Sequence, residues 1–249
     1  MKKNLCGLLL IALLLVSCVT KQDQPDTPPV NKKEPLTRWD KIVENGELKI
    51  GVNTLDDSFD NDLINEFSKE SKLTVKRVLV GDEEKSQLLN NDMVDFLWSQ
   101  IPDSSENSVQ YSLSKPYFNC SILIVSKNNL QPSELSTVGA LENSAEYEIA
   151  LREEKKTVKT AKDIETLLNM LSDSSVEAVY INKEAYDNSK TQKDEFLTIK
   201  DFDCNFVLAF KHNDKDVKTE VEKIMAKIKA NGTATSISEK WYNKDFIIK

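Results

Sequence analysis

From Arg38 to the end of the chain, hydrophobic and polar positions switch repeatedly between a helical and an extended period. "WDKIVENG" has the spacing of a short amphipathic helix, stopped by Gly46. "LKIGV" is an apolar run of the kind found in buried parallel strands. "DNDLINEFSKES" places Leu63, Ile64 and Phe67 on one helical face. "LTVKRVLV" alternates as a strand does. "EEKSQLLNND" predicts a helix and "VDFLWSQ" a strand. "CSILIVSK" is a strand, "ALENSAEYEIALREEKK" contains a helix, and "AKDIETLLNMLSD" is a helix. "VEAVYIN" and "CNFVLAFK" are strands. "VKTEVEKIMAKIKA" sets Val217, Val221, Ile224, Met225 and Ile228 at helical spacing, and "SISEKWYNK" closes the chain. This rhythm predicts an α/β fold with mostly parallel pairing. Periodicity leaves open whether there is one sheet or two.

The first residues follow another pattern. Lys2 and Lys3 precede an unbroken apolar run from Leu5 to Val16. Crossing a bilayer takes roughly 20 such residues, so the run reads as the core of a signal peptide. It ends in Leu15-Val16-Ser17-Cys18, which resembles the bacterial lipobox, cut before a cysteine whose thiol is then acylated. The alternative is an ordinary cleavage site beside a spare thiol. Residues 18–37 hold four of the seven prolines and almost no large apolar side chain. They predict a disordered tether. The expectation is a signal peptide over 1–17, a lipid such as palmitate on Cys18, and a domain anchored to a membrane on the extracytoplasmic side of the cell envelope.

Charge narrows the partners. The chain carries 33 Lys and Arg against 41 Asp and Glu, a net charge of −8. Loss of the two signal lysines makes the mature chain about −10. That argues against a nucleic-acid binder, which usually has a basic face, and against electrostatic docking on anionic lipid. There are six glycines and no phosphate-cradling glycine motif. The one histidine, His212, sits in the polar turn "KHND", and no cysteine–histidine metal spacing or Ser-His-Asp set is present. No cofactor, metal or catalytic residue is expected.

Several segments together resemble family 3 of the bacterial extracellular solute-binding proteins. "WDKIVENGELKIGV" is similar to the family's opening, "LLNNDMVDFLWSQI" to its helix–strand pair and "YSLSKPYFNCSILIVSKN" to its first crossing. "SSVEAVYINKEAY" takes the place of a strand carrying ligand contacts. "VLAFKHNDKDVKTEVEKIMAKIKANGTATSISEKWY" looks like the family's C-terminus. The resemblance implies a two-lobed, type II periplasmic-binding fold with two hinge crossings. Lobe one would be 38–118 and 206–249, and lobe two 119–205. It also implies a monomer that closes on a polar, amino-acid-like ligand between the lobes. The partners would be an ABC permease and its ATPase.

A zwitterionic amino acid needs a cation for its carboxylate and an anion for its ammonium, since unpaired buried charge is costly. The family's arginine position falls on Asn107 and its aspartate position on Asn182. Two amides thus replace both charges, so common α-amino acids are expected to bind weakly and a ligand to be polar and largely uncharged. Trp98 is expected either as a stacking floor or as a core side chain, with Ser99 and Gln100 beside it as polar contacts. Ser144, in the turn Glu142-Asn143-Ser144-Ala145, would offer its N–H to an anion. The resemblance puts Cys120 and Cys204 in the two crossings, as a disulfide stapling them or as two separate buried thiols. Competing functions are a receptor fold that has lost ligand binding and serves as an adhesin or sensor, and a lyase or dehydratase on the same fold, for which Glu142 is the only carboxylate placed near the cleft.

Overall fold

The computed structural model describes residues 35–81, 84–153, 156–190 and 194–249. The signal peptide, Cys18 and nearly all of the expected tether lie outside the described residues. Leu36–Lys249 forms one compact unit.

Local chemistry starts and stops the helices where the pattern asks for it. Helix α1 (Arg38–Asn45) opens with a reciprocal cap between Thr37 and Asp40 and ends at Gly46, whose φ of 67° suits a residue without a Cβ. Strand β1 (Glu47–Val52) follows, then α2 (Phe59–Ser71), capped by Ser58. Next come β2 (Thr74–Leu79), α3 (Lys85–Asn90), β3 (Phe96–Pro102), α4 (Ser105–Gln110) and β4 (Ser112–Leu113). Strand β5 (Phe118–Ser126) leads to β6 (Thr137–Leu141), α5 (Ala145–Arg152), β7 (Thr157–Ala161) and α6 (Ile164–Ser172). The chain closes with β8 (Ala178–Asn182), α7 (Lys183–Asn188), β9 (Leu197–Phe210), α8 (Lys215–Ala230) and α9 (Thr233–Tyr242).

The strands form one continuous sheet in the order β2-β1-β3-β9-β5-β8-β6-β7, with β4 also on β9. The expectation of mostly parallel pairing needs correction. β1 is parallel to β2 and β3, and β6 to β7 and β8. The middle is antiparallel, because β9 returns between β3 and β5, and β5 also pairs antiparallel with β8. β9 is 14 residues long and runs against β5 from Phe118 opposite Phe206 to Ser126 opposite Leu197.

Both faces of each wing are covered. On one side of β1 and β3, Ile50, Phe96 and Trp98 pack with Leu63 and Phe67 of α2 and Val221 and Ile228 of α8. The opposite face buries Leu97, Ile101 and Val207 with Leu89 of α3. In the second wing, Leu123, Val179 and Ile181 meet Leu167, Leu168 and Leu171 of α6, while Ile124, Val138 and Tyr180 meet Ala150 of α5. Gly51 is required by this packing, since a Cβ there would lie 2.7 Å from Leu97 Cδ2. The C-terminal residues fasten onto β5, with Asn119 N–H donating to Phe246 O (3.0 Å) and Ile248 N–H to Tyr117 O (3.2 Å).

Candidate functional site

The N-terminal half of α5 lies against the ends of β1 and β3 and against α3 and α4. Ser144 caps α5, its Oγ accepting from Tyr147 N–H (3.1 Å) and donating to Leu141 O (2.7 Å). Asn53, just after β1, donates its side-chain amide to Asn143 O (3.1 Å). Ala145 is fully buried among the residues that pack on Phe59, Trp98, Phe118 and Cys120. Glu148 and Arg152, one helical turn apart, share the face turned to α3 and α4. Glu148 pairs with Lys85, whose side chain is only 4% exposed. Arg152 bonds Glu148 (3.2 Å) and donates to Ser104 Oγ (3.1 Å). Beside this network is a pocket of about 300 Å³ lined by Lys85, Asn107, Tyr111, Glu148 and Arg152 among others. Burial, and then the charge of Glu148, pushes the Tyr111 hydroxyl up to about 12. The pocket therefore has both signs of charge and a neutral phenol, with walls buried at Lys85, Ile101, Asn107 and Tyr111 and exposed at Glu106, Gln110 and Leu151.

A second polar cluster lies deeper. Asp60 Oδ1 accepts from Trp98 Nε1 (3.0 Å) and Tyr117 OH (2.8 Å), while Oδ2 has no partner among the described residues. Burial raises this carboxyl above the ordinary range, and the hydrogen bonds from Tyr117 and Trp98 only partly offset it. Glu146, also buried, is raised by the same cause.

The residues expected at the site are dispersed. Trp98 is fully buried, edge-on to Phe67 (6.0 Å) and Tyr117 (5.6 Å), so it is a core side chain and its indole N–H belongs to Asp60. Ser99 is buried, and Gln100 adopts φ 54°. Asn107 lines the 300 Å³ pocket, but its amide donates to Pro102 O (2.8 Å). Asn182 caps α7, accepting from Ala185 N–H (3.1 Å). Among these six, Asn107 alone lines the pocket. Lys85, Glu148 and Arg152 went unrecognised in the sequence. The i,i+4 spacing of Glu148 and Arg152 was a usable signal, whereas nothing local marks Lys85 as buried.

Cys120 and Cys204 are directly opposed in the β5–β9 ladder, and both are free thiols. Directly opposed residues hold their Cβ atoms about 4.5–5.5 Å apart, whereas a disulfide prefers about 3.8 Å. The expected proximity is present and the bond is not. The Cys120 thiol is held protonated by its hydrogen bond with Cys204 and by burial. His212 is exposed, its Nε2 3.1 Å from Val109 O. Among the described residues no group of three or more His, Cys, Asp or Glu could hold a metal ion, and no helix is long and apolar enough to cross a membrane.

Two parallel wings joined by the long antiparallel pair β5–β9 make up the two-lobed, type II periplasmic-binding fold with two hinge crossings. The chain belongs to the bacterial extracellular solute-binding proteins, family 3, whose model matches residues 58–244. A substrate-binding protein of an ABC uptake transporter from Streptococcus pneumoniae, solved with bound histidine, superposes with a TM-score of 0.67 at 18% identity, over 85% of this chain and 98% of that one. The arginine-, lysine-, histidine-binding protein ArtJ from Geobacillus stearothermophilus gives 0.64 at 20% identity, over 80% and 96%. An ancestral amino acid-binding protein, AncCDT-1, a precursor of cyclohexadienyl dehydratase, gives 0.66 at 18%, over 82% and 98%. At these identities the likeness is one of fold. None of the curated proteins matches the chain in sequence.

Proposed function

We propose that the protein is a lipid-anchored, extracytoplasmic receptor that passes a small, polar, amino-acid-like solute to the permease and ATPase of an ABC importer, and that it is not an enzyme. Lobe one is 38–118 with 206–249, and lobe two 119–205. Two of the core clusters support this division, since each draws its residues from within the second span. The observation that carries the reading is the 300 Å³ pocket, where Lys85, Asn107 and Tyr111 face Glu148 and Arg152 across the seam between those spans. A ligand carboxylate would be met by Lys85 and Arg152, and an ammonium by Glu148. The two formal charges that the family pattern carries, and that Asn107 and Asn182 lack, would thus come from other positions.

They are already joined to each other, so a zwitterion must divide the Lys85–Glu148 pair in order to bind. This keeps standard α-amino acids weak ligands, and favours a polar molecule that adds hydrogen bonds to Asn107 or Tyr111. Calorimetry of the wild-type protein and Lys85→Met against the twenty amino acids and neutral polar amides tests the reading. The expected result is saturable binding of at least one compound that Lys85→Met weakens by about tenfold or more. Binding unchanged in the variant would place the ligand elsewhere. The mutual neutralisation of Lys85, Glu148 and Arg152 favours one second reading, a surface adhesin or sensor that no longer takes a solute. An absence of binding across the whole panel would establish that alternative.

A further inference from the structure

A second cavity lies away from the seam. It measures about 870 Å³ and runs between the segment Ser114–Tyr117 and one face of α8, well within the range of small-molecule sites. Helical spacing aligns Glu222, Met225, Ala226 and Lys229 along that face. With Leu208 and Pro116 they give a mainly apolar lining. Its charged members are Lys115, Glu222, Lys229 and Lys249. Lys229 is half-buried, donates to Pro116 O (3.2 Å), and makes no ion pair among the described residues. Glu222, also at the cavity, accepts from Lys115 N–H through Oε1 (2.9 Å), and its charge still acts on Lys229. Lys115 adds a second cation to the lining, against a chain whose net charge is −8. Desolvation lowers the Lys229 ammonium below its usual range, with Lys115 acting in the same direction and Glu222 opposing.

The geometry points to a second ligand site, in which this groove takes an anionic amphiphile: one carboxylate on the Lys229 ammonium and an apolar body along Leu208, Met225 and Ala226. An apolar lining alone would not choose between a neutral and a charged guest. A half-buried ammonium with two N–H donors to spare does choose, because a carboxylate both neutralises it and accepts those donors. Met225 suits chains of varied shape.

The probe is decanoate, titrated into the purified full chain by calorimetry, with 1-decanol as the neutral comparison. Saturable binding of one decanoate per chain is expected, weakened about tenfold or more in Lys229→Met and lost in Ala226→Trp, which fills the groove. Thermal unfolding confirms that both variants are folded. The proposal is overturned if decanoate shows no saturable binding, if 1-decanol binds as tightly, or if either folded variant binds as the wild type does. None of these outcomes depends on what the seam pocket takes.

Discussion

Asp60→Asn should make the protein more stable at neutral pH. Asp60 is buried, and its Oδ2 has no partner among the described residues. Its folded pKa lies above the ordinary value, with burial the largest cause. The unfolded carboxyl titrates near about 3.9. The native state therefore holds the proton more tightly than the unfolded state. This group's contribution to stability is fully present below about pH 3.9 and is lost as pH rises through the folded pKa. At pH 7 the buried carboxyl is a liability, since it must either carry a desolvated charge or hold a proton that the unfolded chain would release. An asparagine keeps the oxygen that accepts from Trp98 and Tyr117 and removes the ionisable group, leaving an uncharged amide where the carboxylate oxygen was. Leaving a buried acceptor unsatisfied costs about 1–3 kcal/mol, and more when it is charged. The variant should thus match the wild type near pH 4 and gain about 1–3 kcal/mol by pH 7. Urea unfolding at pH 4, 5.5 and 7 reads the difference directly. In a domain of this size each kcal/mol is worth about 2–4 °C in Tm. A variant less stable than the wild type at pH 7, or a difference that does not change with pH, would refute the argument.

Other predictions concern the seam, the anchor and the crossings. Lys85→Met should destabilise the fold by somewhat less than the ~3–5 kcal/mol typical of a broken buried pair, because Glu148 keeps Arg152; Lys85→Met with Glu148→Leu should recover part of the loss in a double-mutant cycle, and strict additivity would deny the coupling. The mature protein should begin at Cys18 and sediment with membranes, while Cys18→Ala should be released or left unprocessed. A variant still processed and fully membrane-bound would remove the lipid anchor. Peptide mapping without reductant should recover Cys120 and Cys204 as separately alkylated peptides, and a linked pair would show that the ladder tightens enough to bridge them.

Much of the fold was legible because burial imposes a period. The face of α8, with Val217, Val221, Ile224, Met225 and Ile228 all buried, could be read directly. The edge strand β7 could not, since only Ala161 of its five residues is buried and no apolar alternation survives. The first half of β9 was hidden for the same reason. Lys200, Asp201 and Asp203 pair through their backbones with β5, so charged side chains sit in a strand without contradicting it. The polar site was the least legible part. Asn107 and Asn182 were located by counting along the chain, but their amides are used by the backbone around them. Lys85 reads as a surface residue near the start of a polar helix until α5, more than sixty residues later, brings Glu148 to it.

The place of β9 bears on how the chain is made. It supplies the neighbour of both β3 and β5, yet begins only at Leu197. At about 5–20 residues per second, some hundred residues separate the end of β3 from its partner, a delay of roughly 5–20 s. For that interval β3 is an open edge, able to pair with any extended segment that passes. The sheet cannot close until β9 is made, and a chain truncated before residue 197 keeps two unmatched half-sheets. Such a polypeptide presents two open strand edges, on β3 and on β5, until β9 arrives to pair both.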